Sequence, residues 1–146
     1  TSTPTATNTP IPCNLAEFVD DVNYPDGSDV FTGAEFTKTW RLKNVGTCSW
    51  TNTYKIVYVS GDNLNAPSST KVTNSTINPG ESVDISVKLK APGSEGTYRS
   101  YFKLMASDGT TFGIGPNGAN AFWVEIESVK LFIMPKITLM PILPLP

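Results

Sequence analysis

The spacing of hydrophobic and polar residues in this chain is that of β-strands. The clearest stretch covers residues 82–90, where the apolar residues are Val83, Ile85, Val87 and Leu89 and every residue between them is polar. A period of two turns one set of side chains towards a core and the other towards water. This stretch therefore predicts a strand with one buried face and one wet face.

Six further stretches have strand character: 16–23, 35–44, 54–60, 72–77, 97–107 and 121–128. Turn sequences rich in Pro, Gly, Asn and Asp lie between them, as in Asn78–Glu81 and Ser107–Thr110. Helical periodicity is absent. About seven short strands separated by turns predict an all-β fold, an antiparallel β-sandwich with an extended tail at each end.

One residue does not fit the alternation within 35–44. Phe36, Trp40 and Leu42 share one face of this strand, and Lys38 falls on the same face. Lysine can bury its methylene stem while its ammonium group reaches water. We therefore expect Lys38 to lie at a rim of the core or to extend its head to solvent.

Composition divides the chain into three zones. Residues 1–12 are a Thr/Pro-rich linker, residues 13–128 form the sandwich, and residues 129–146 form an apolar tail interrupted by proline. Because the chain begins at Thr1 without an apolar leader, we interpret it as a processed or excised form. No stretch is long and apolar enough for a membrane helix, since lysines and prolines interrupt the tail.

The tail carries more apolar surface than a monomer would leave in water. We predict that it is an assembly element that adds to a neighbouring subunit and joins subunits head to tail into a filament. The residues of this assembly tail are Val129, Leu131, Phe132, Ile133, Ile137 and Leu139. The alternatives are that the tail folds back on its own sandwich or continues into a linker.

Charge and histidine content exclude several classes of function. The net charge is −2 with no basic stripe, which argues against nucleic acid as a partner and against attraction to an anionic membrane. The chain has no histidine, so it lacks the usual general base and the commonest metal ligand. We predict that it is not an enzyme and has no catalytic residues, no cofactor and no metal site.

Two sequence motifs resemble ligand sites but have simpler explanations. Residues 113–118 match G-x-G-x-x-G, yet Pro116 interrupts the motif and a strand follows it where a dinucleotide site needs a helix, so we interpret it as a glycine loop. Oxygen-bearing side chains near the first turn could hold calcium, but they lack EF-hand spacing and are ordinary turn formers. They are Asp20, Asp21, Asn23, Asp26 and Asp29.

The two cysteines predict one disulfide. Cys13 precedes the first strand and Cys48 follows the second long strand. If these strands pair antiparallel, the start of one lies beside the end of the other, so a Cys13–Cys48 bridge is within reach. A disulfide in turn predicts an oxidising, extracellular compartment.

The three tryptophans differ in their expected surroundings. Trp40 has core parity, whereas Trp50 lies in a loop and Trp123 lies opposite the inward-facing residues of its strand. An aromatic ring off the core face either packs under a loop or contacts a partner. We predict Trp50, Trp123 and Tyr101 as partner-binding residues.

The ordered motifs of the chain resemble a known family. Phe18–Val22, Phe36–Gly46 and Cys48–Trp50, followed by Gly96–Tyr98 and Phe122–Val124, are similar to the four-tryptophan (FW) Ig-like domain. The resemblance covers residues 16–127. This family is best known from the central domain of a selective-autophagy cargo receptor and also occurs in bacterial surface and secreted proteins.

The resemblance implies an Ig-like sandwich that binds protein partners and does no chemistry. Three of the family's tryptophans correspond to Trp40, Trp50 and Trp123. The fourth is expected in the strand from Tyr98 to Met105, where this chain has Tyr101 and Phe102 instead. The chain therefore departs from the family pattern at this position.

These features together predict a non-catalytic, extracellular module of a bacterial cell-surface protein that binds proteins and self-associates. The alternative is a carbohydrate-binding accessory module of a secreted enzyme, with Trp123 and Tyr101 as stacking platforms for sugar rings. The two hypotheses differ in how many aromatic rings share one exposed face.

Overall fold

A computed structural model describes residues 9–131 and Pro144, and within them the chain forms nine strands. In chain order they are β1 (Ala16–Asp21), β2 (Ser28–Phe31), β3 (Glu35–Asn44), β4 (Lys55–Gly61), β5 (Thr70–Lys71), β6 (Ser82–Lys90), β7 (Gly96–Met105), β8 (Thr111–Phe112) and β9 (Phe122–Val129). One turn of 3-10 helix, Pro116–Gly118, precedes β9. No helix in the described ranges is long and apolar enough to cross a membrane.

The strands form two sheets. One sheet has three strands in the order β1-β3-β6, and the other has the order β2-β9-β7-β4-β5 with β8 added beside β7. All pairs are antiparallel except β2 and β9, which run parallel. The predicted all-β, Ig-like sandwich is confirmed, with two more strands than expected and one parallel pair.

The alternation in the sequence sets which faces are buried. In β6, Ile85, Val87 and Leu89 are almost fully buried while the residues between them are exposed. In β3, Trp40 and Leu42 have no exposed surface. The core therefore lies between the two sheets, as the period of two requires.

Aromatic rings from both sheets meet in the centre of this core. The ring of Trp40, from the three-stranded sheet, lies 5.1 Å from that of Phe102 and 5.2 Å from that of Phe122, both in the other sheet. The Trp40 indole N–H donates a hydrogen bond to the backbone carbonyl of Trp123 at 2.9 Å. This bond satisfies the buried indole N–H and fixes the ring across the sandwich.

Lys38 lies deeper than the sequence predicted. Its side chain has no exposed surface, and its ammonium group donates to Asp21 Oδ1 at 2.7 Å and to the backbone carbonyls of Asn23 and Tyr24 at 2.6 and 2.8 Å. The expectation of a rim position was wrong because these three acceptors replace water. A buried charge is tolerated when it is paired and hydrogen-bonded in this way.

The short strands β2 and β8 were not predicted from the sequence. β2 has four residues and β8 has two, too few to show a period. The stretch 72–77, predicted as a strand, contains only Ile77 in an isolated bridge to Trp50, while the short strand β5 ends at Lys71. β2 pairs with the distant strand β9, which no local pattern reveals. β8 pairs with the neighbouring strand β7 across the predicted Ser107–Thr110 turn, but it is too short for its alternation to show.

Candidate functional site

The outer face of the larger sheet carries an aromatic pair. Tyr101 in β7 and Trp123 in β9 are cross-strand neighbours, with ring centroids 6.2 Å apart. Both residues are half-buried, so each keeps some surface exposed to solvent. Two of the predicted partner-binding residues are therefore brought together on one exposed face.

A cation lies against this aromatic pair. The guanidinium of Arg99, two residues before Tyr101 on the same face, lies 5.0 Å from the Trp123 ring centroid. It donates to Glu125 Oε1 at 3.1 Å and lies 3.5 Å from the Tyr101 hydroxyl oxygen. The contact with Tyr101, together with Glu125, raises the pKa of Arg99 above its ordinary value, so the group stays cationic.

The tryptophan ring is fixed at its other end. The Trp123 indole N–H donates to the carboxylate of Asp26 at 3.1 Å, and Asp26 lies in the turn before β2. The indole therefore has one hydrogen-bonded edge and one face covered by Arg99. We call the surface formed by these residues the Trp123 surface; its members are Asp26, Arg99, Tyr101, Trp123 and Glu125.

A cleft opens beside the Trp123 surface. Its volume is about 190 Å³, and its lining consists of Phe18, Asp21, Asp26, Ile114, Phe122 and Trp123. Both carboxylates are held in structural bonds, Asp21 to Lys38 and Asp26 to Trp123. The cleft therefore offers apolar walls with a polar rim, which suits an apolar side chain of a partner.

Trp50 does not join this surface. Its side chain has no exposed area and packs against Phe112 with ring centroids 6.0 Å apart. Its backbone N–H donates to the Ile77 carbonyl at 2.8 Å, which ties the loop to the sandwich. The prediction of Trp50 as a partner-binding residue is therefore corrected, because a partner cannot reach the ring.

Asn44 explains why the loop around Trp50 folds inwards. Its buried side-chain amide donates to the carbonyls of Cys48 and Ile77 at 2.9 and 3.0 Å, and its oxygen accepts from the Gly46 N–H at 3.1 Å. Backbone groups of the loop are thus satisfied away from water. A polar residue at the end of a strand is common, so the sequence alone did not identify Asn44 as the residue that holds this loop.

The two cysteines lie beside each other at the ends of β1 and β3. The structure joins Cys13 and Cys48 by a disulfide, with their Cα atoms 4.8 Å apart. The Cys48 N–H also donates to the Cys13 carbonyl at 3.0 Å, and the Thr47 N–H donates to the Pro12 carbonyl at 3.2 Å. These bonds hold the segment before β1 against the loop that follows β3.

The assembly tail is only partly within the described residues. Val129 ends β9 and pairs with Phe31 of β2, and Leu131 is 60% exposed. Phe132, Ile133, Ile137 and Leu139 lie outside the described residues. The Val129 end of the tail is thus part of the sandwich.

The structure also places the residues considered for a metal or nucleotide. Within residues 9–131, no group of three or more acidic or cysteine side chains lies close enough together to hold a metal ion. The loop 113–118 contains the 3-10 turn Pro116–Gly118, and Ile114 bridges back to Asn120. This loop borders the cleft through Ile114 and does not lead into a long helix.

Sequence reasoning missed three members of the Trp123 surface. Arg99 and Glu125 could have been found, because each shares the parity of a flagged aromatic residue on its own strand. Asp26 could not, because it reaches Trp123 from a turn 97 residues away. A search for charged residues on the same face as Tyr101 and Trp123 would have recovered the first two.

Fold and surface together define a class of protein: an Ig-like β-sandwich with an aromatic and arginine-bearing face. Residues 23–128 match the family model described as "Ig-like domain from next to BRCA1 gene". The chain belongs to this family, and the predicted resemblance is confirmed.

Relatives with this domain come from plants, animals and fungi. The chain is 32% identical over 123 residues to Protein JOKA2 of Solanum tuberosum, covering 83% of the chain and 14% of that protein. It is 37% identical over 105 residues to the human next to BRCA1 gene 1 protein, covering 70% and 11%. It is 31% identical over 85 residues to the autophagy receptor Nbr1 of Schizosaccharomyces pombe, covering 55% and 21%. The chain thus spans a small part of the length of these relatives.

These relatives contradict the predicted biological setting. They are eukaryotic proteins, and one is named an autophagy receptor, so the predicted extracellular module of a bacterial cell surface is wrong. The filament predicted for such a cell-surface protein is contradicted by the same relatives, and the carbohydrate-binding alternative fits them no better. The error came from inferring a compartment from a Thr/Pro linker and a cysteine pair, which are weak signals.

Proposed function

We propose that this domain is a non-catalytic protein-interaction module and that its partner contacts the Trp123 surface. The observation that carries the proposal is the packing of Arg99 over Trp123 beside Tyr101 on an exposed sheet face. Tryptophan, tyrosine and arginine are the residues most enriched at the energetic centres of protein interfaces. The relatives support the same class, since a receptor acts by binding other molecules.

The surface is ordered before any partner arrives. The indole is held by Asp26 and the guanidinium by Glu125, so neither side chain has to be fixed on binding. A preorganised contact loses less conformational entropy when a complex forms. The cleft beside Trp123 adds a place for one apolar side chain of the partner.

The site favours a partner that brings both an apolar and a charged group. Phe18, Ile114 and Phe122 line the cleft together with Trp123. Arg99 contacts the Trp123 ring on the sheet face and pairs with Glu125. An apolar residue in the cleft and a carboxylate near Arg99 would use both features. We therefore propose a protein segment with an apolar side chain next to an acidic one as the partner.

The test is quantitative capture of binding proteins by the whole chain and by two double variants. Trp123→Ala with Tyr101→Ala removes the aromatic pair, and Thr39→Ala with Ser86→Ala removes a hydrogen-bonded pair on the outer face of the other sheet as a matched control. Thermal unfolding of all three proteins monitors folding. Proteins captured by the wild type should be depleted by about tenfold or more with the first variant.

The comparison with the control makes the result decisive. Binding that survives loss of Trp123 and Tyr101 in a folded variant would show that partners use another surface. Equal depletion in the Thr39/Ser86 control would point the same way. Each captured protein is then purified and titrated against the variants by calorimetry.

A further inference from the structure

The free edge of β6 is long and regular. β6 spans nine residues, Ser82–Lys90, and pairs with β3 alone in an unbroken register. The other edge strands in the described residues are interrupted or short: β1 has a register shift, β2 has four residues and β5 has two. A long regular edge is the kind that accepts a further strand.

Hydrogen bonds at the two ends of β6 fix which backbone groups face this edge. The Asn44 N–H donates to the Glu81 carbonyl at 2.8 Å on the β3 side, and the Lys90 N–H donates to the Leu64 carbonyl at 2.8 Å on the opposite side. In an antiparallel strand, each residue points both its N–H and its C=O to one side, and the next residue points both to the other side. The even-numbered residues of β6 therefore face the free edge.

Three consecutive even-numbered residues are available there. The N–H and C=O groups of Asp84, Ser86 and Lys88 point away from β3, and none of them has another hydrogen-bond partner among the described residues. Their side chains are also exposed, on the outer face of the sheet. The loop at Leu64 covers the edge at Lys90, so the open segment extends from Asp84 to Lys88.

The charges on this segment are self-complementary. Ser86 is the centre of the nine-residue strand, with acidic Asp84 two residues before it and basic Lys88 two residues after it. A two-fold axis through Ser86 would place each Asp84 directly opposite a Lys88 of a second copy. An axis through Ile85 would place Asp84 opposite Ser86 and lose both charge pairs.

We infer that the β6 edge is the contact surface for a second copy of this chain, paired antiparallel about Ser86 in a closed two-fold dimer. Asp84 would pair with the partner subunit's Lys88, Ser86 with the partner subunit's Ser86, and Lys88 with the partner subunit's Asp84. Each of these pairs exchanges two backbone hydrogen bonds. The two three-stranded sheets would join into one of six strands.

Existing ion pairs extend the charge pattern on both sides. Arg41 donates to Asp84 at 2.8 Å, and Lys88 lies 3.1 Å from Glu35. Across the dimer, the signs would therefore alternate from Glu35 to Lys88 to the partner subunit's Asp84 to the partner subunit's Arg41. Opposite charges directly across a strand pair stabilise the pairing, and like charges oppose it.

The contact is narrow, so the dimer is expected only at high concentration. A five-residue edge buries less surface than a standard protein interface, and interfaces of this size give weak, transient association. The contact lies in the sheet opposite the Trp123 surface. Dimerisation therefore leaves that surface free.

The test is sedimentation velocity of the whole chain over a range of concentrations, with two charge variants. Lys88→Glu places a glutamate opposite the partner subunit's Asp84, and Asp84→Lys places a lysine opposite the partner subunit's Lys88. Each variant alone should therefore self-associate about tenfold more weakly than the wild type. An equal mixture of the two restores both opposite-charge pairs and should associate as the wild type does. Thermal unfolding of each variant checks that it folds.

A third variant tests the edge without changing charge. Ser86→Pro removes an N–H that faces the free edge and leaves the β3 ladder in place, so it should abolish dimerisation. A wild type that stays monomeric at every concentration would overturn the inference, and the edge would then suit a segment of another protein. The inference would also be overturned if Ser86→Pro still dimerised. The same holds if the equal mixture of Lys88→Glu and Asp84→Lys failed to associate as the wild type does.

Discussion

Lys38 and Asp21 form an ion pair, with Nζ and Oδ1 2.7 Å apart and no exposed surface on the lysine. The carboxylate is 24% exposed, so water can reach it, while the ammonium group depends on protein acceptors alone. Two of these acceptors are the carbonyls of Asn23 and Tyr24, which shape the turn that leads to Asp26. The pair thus connects the core to the Trp123 surface.

We predict that removing the lysine destabilises the domain more than neutralising the aspartate. Lys38→Met leaves two carbonyls and a carboxylate without their donor and should lower the free energy of unfolding by about 3 kcal/mol. Asp21→Asn keeps an acceptor oxygen for the lysine and should cost about 1 kcal/mol. Urea unfolding of both variants measures the difference, and the reverse order would contradict this description of the pair.

Removing the disulfide should also destabilise the domain. Cys13 and Cys48 are 35 residues apart in sequence, and closing a loop of that length contributes about 4 kcal/mol in the loop-entropy model. The double variant Cys13→Ser with Cys48→Ser should lose a comparable amount, measured by urea unfolding of oxidised wild type and variant. If alkylation of the unreduced wild type modifies two thiols, the bridge is absent and the prediction fails.

Alkaline pH should weaken the domain through Tyr54. Burial, with a further contribution from the charge of Asp108, raises the pKa of Tyr54 above its ordinary value. The folded state therefore holds this proton more tightly than the unfolded chain, whose tyrosines titrate near pH 10. The stabilisation is complete below that pH and is lost as pH rises through the higher folded value.

The variant Tyr54→Phe isolates this effect. It removes the proton and also the hydrogen bond from the Tyr54 hydroxyl to Asn14 Oδ1 at 2.8 Å, so it should cost about 1 kcal/mol near neutral pH. Between neutral pH and about pH 11, however, the variant should lose less stability than the wild type. Equal losses in the two proteins would show that Tyr54 is not the group responsible.

We predict that a glycine-to-alanine substitution has very different effects on stability at Gly113 and at Gly93. A Cβ at Gly113 would overlap the carbonyl oxygen of Asn120, whose backbone pairs with Ile114 at the border of the cleft. Gly113→Ala should therefore destabilise the domain by about 2 kcal/mol or more. Gly93 has no atom within 4 Å of such a Cβ, so Gly93→Ala should change stability by less than about 0.5 kcal/mol. Thermal unfolding distinguishes them, and similar costs would contradict the assigned backbone contact.

The long strands were predictable from sequence because their patterns are long. β3 and β6 have ten and nine residues, enough for the period of two to show, and both strands have the bounds that the sequence predicted. β2 pairs in parallel with β9, almost a hundred residues later in the chain. A contact at that separation has no local pattern, so sequence reasoning missed the strand and its direction.

The candidate site was only half predictable for a similar reason. Trp123 was flagged because its parity places it off the core face, and Tyr101 because it lies in the strand where the family's fourth tryptophan is expected. The structure pairs the two residues across two strands. Trp50 was misjudged because loop residues were taken as exposed, whereas the Asn44 side chain folds this loop inwards. Parity within a strand is encoded locally, but the path of a loop is set by its contacts.

The three tryptophans allow the proposed interaction to be observed directly by nuclear magnetic resonance. Each indole N–H has a different environment: Trp40 donates to the Trp123 carbonyl, Trp50 is buried without an acceptor among the described residues, and Trp123 donates to Asp26 at the surface. Titrating a captured partner into the ¹⁵N-labelled chain should shift or broaden the Trp123 signal first and most. Backbone signals of Arg99 and Tyr101 should change with it. A saturated complex in which the Trp123 indole signal is unchanged would contradict the assignment of this surface as the binding site.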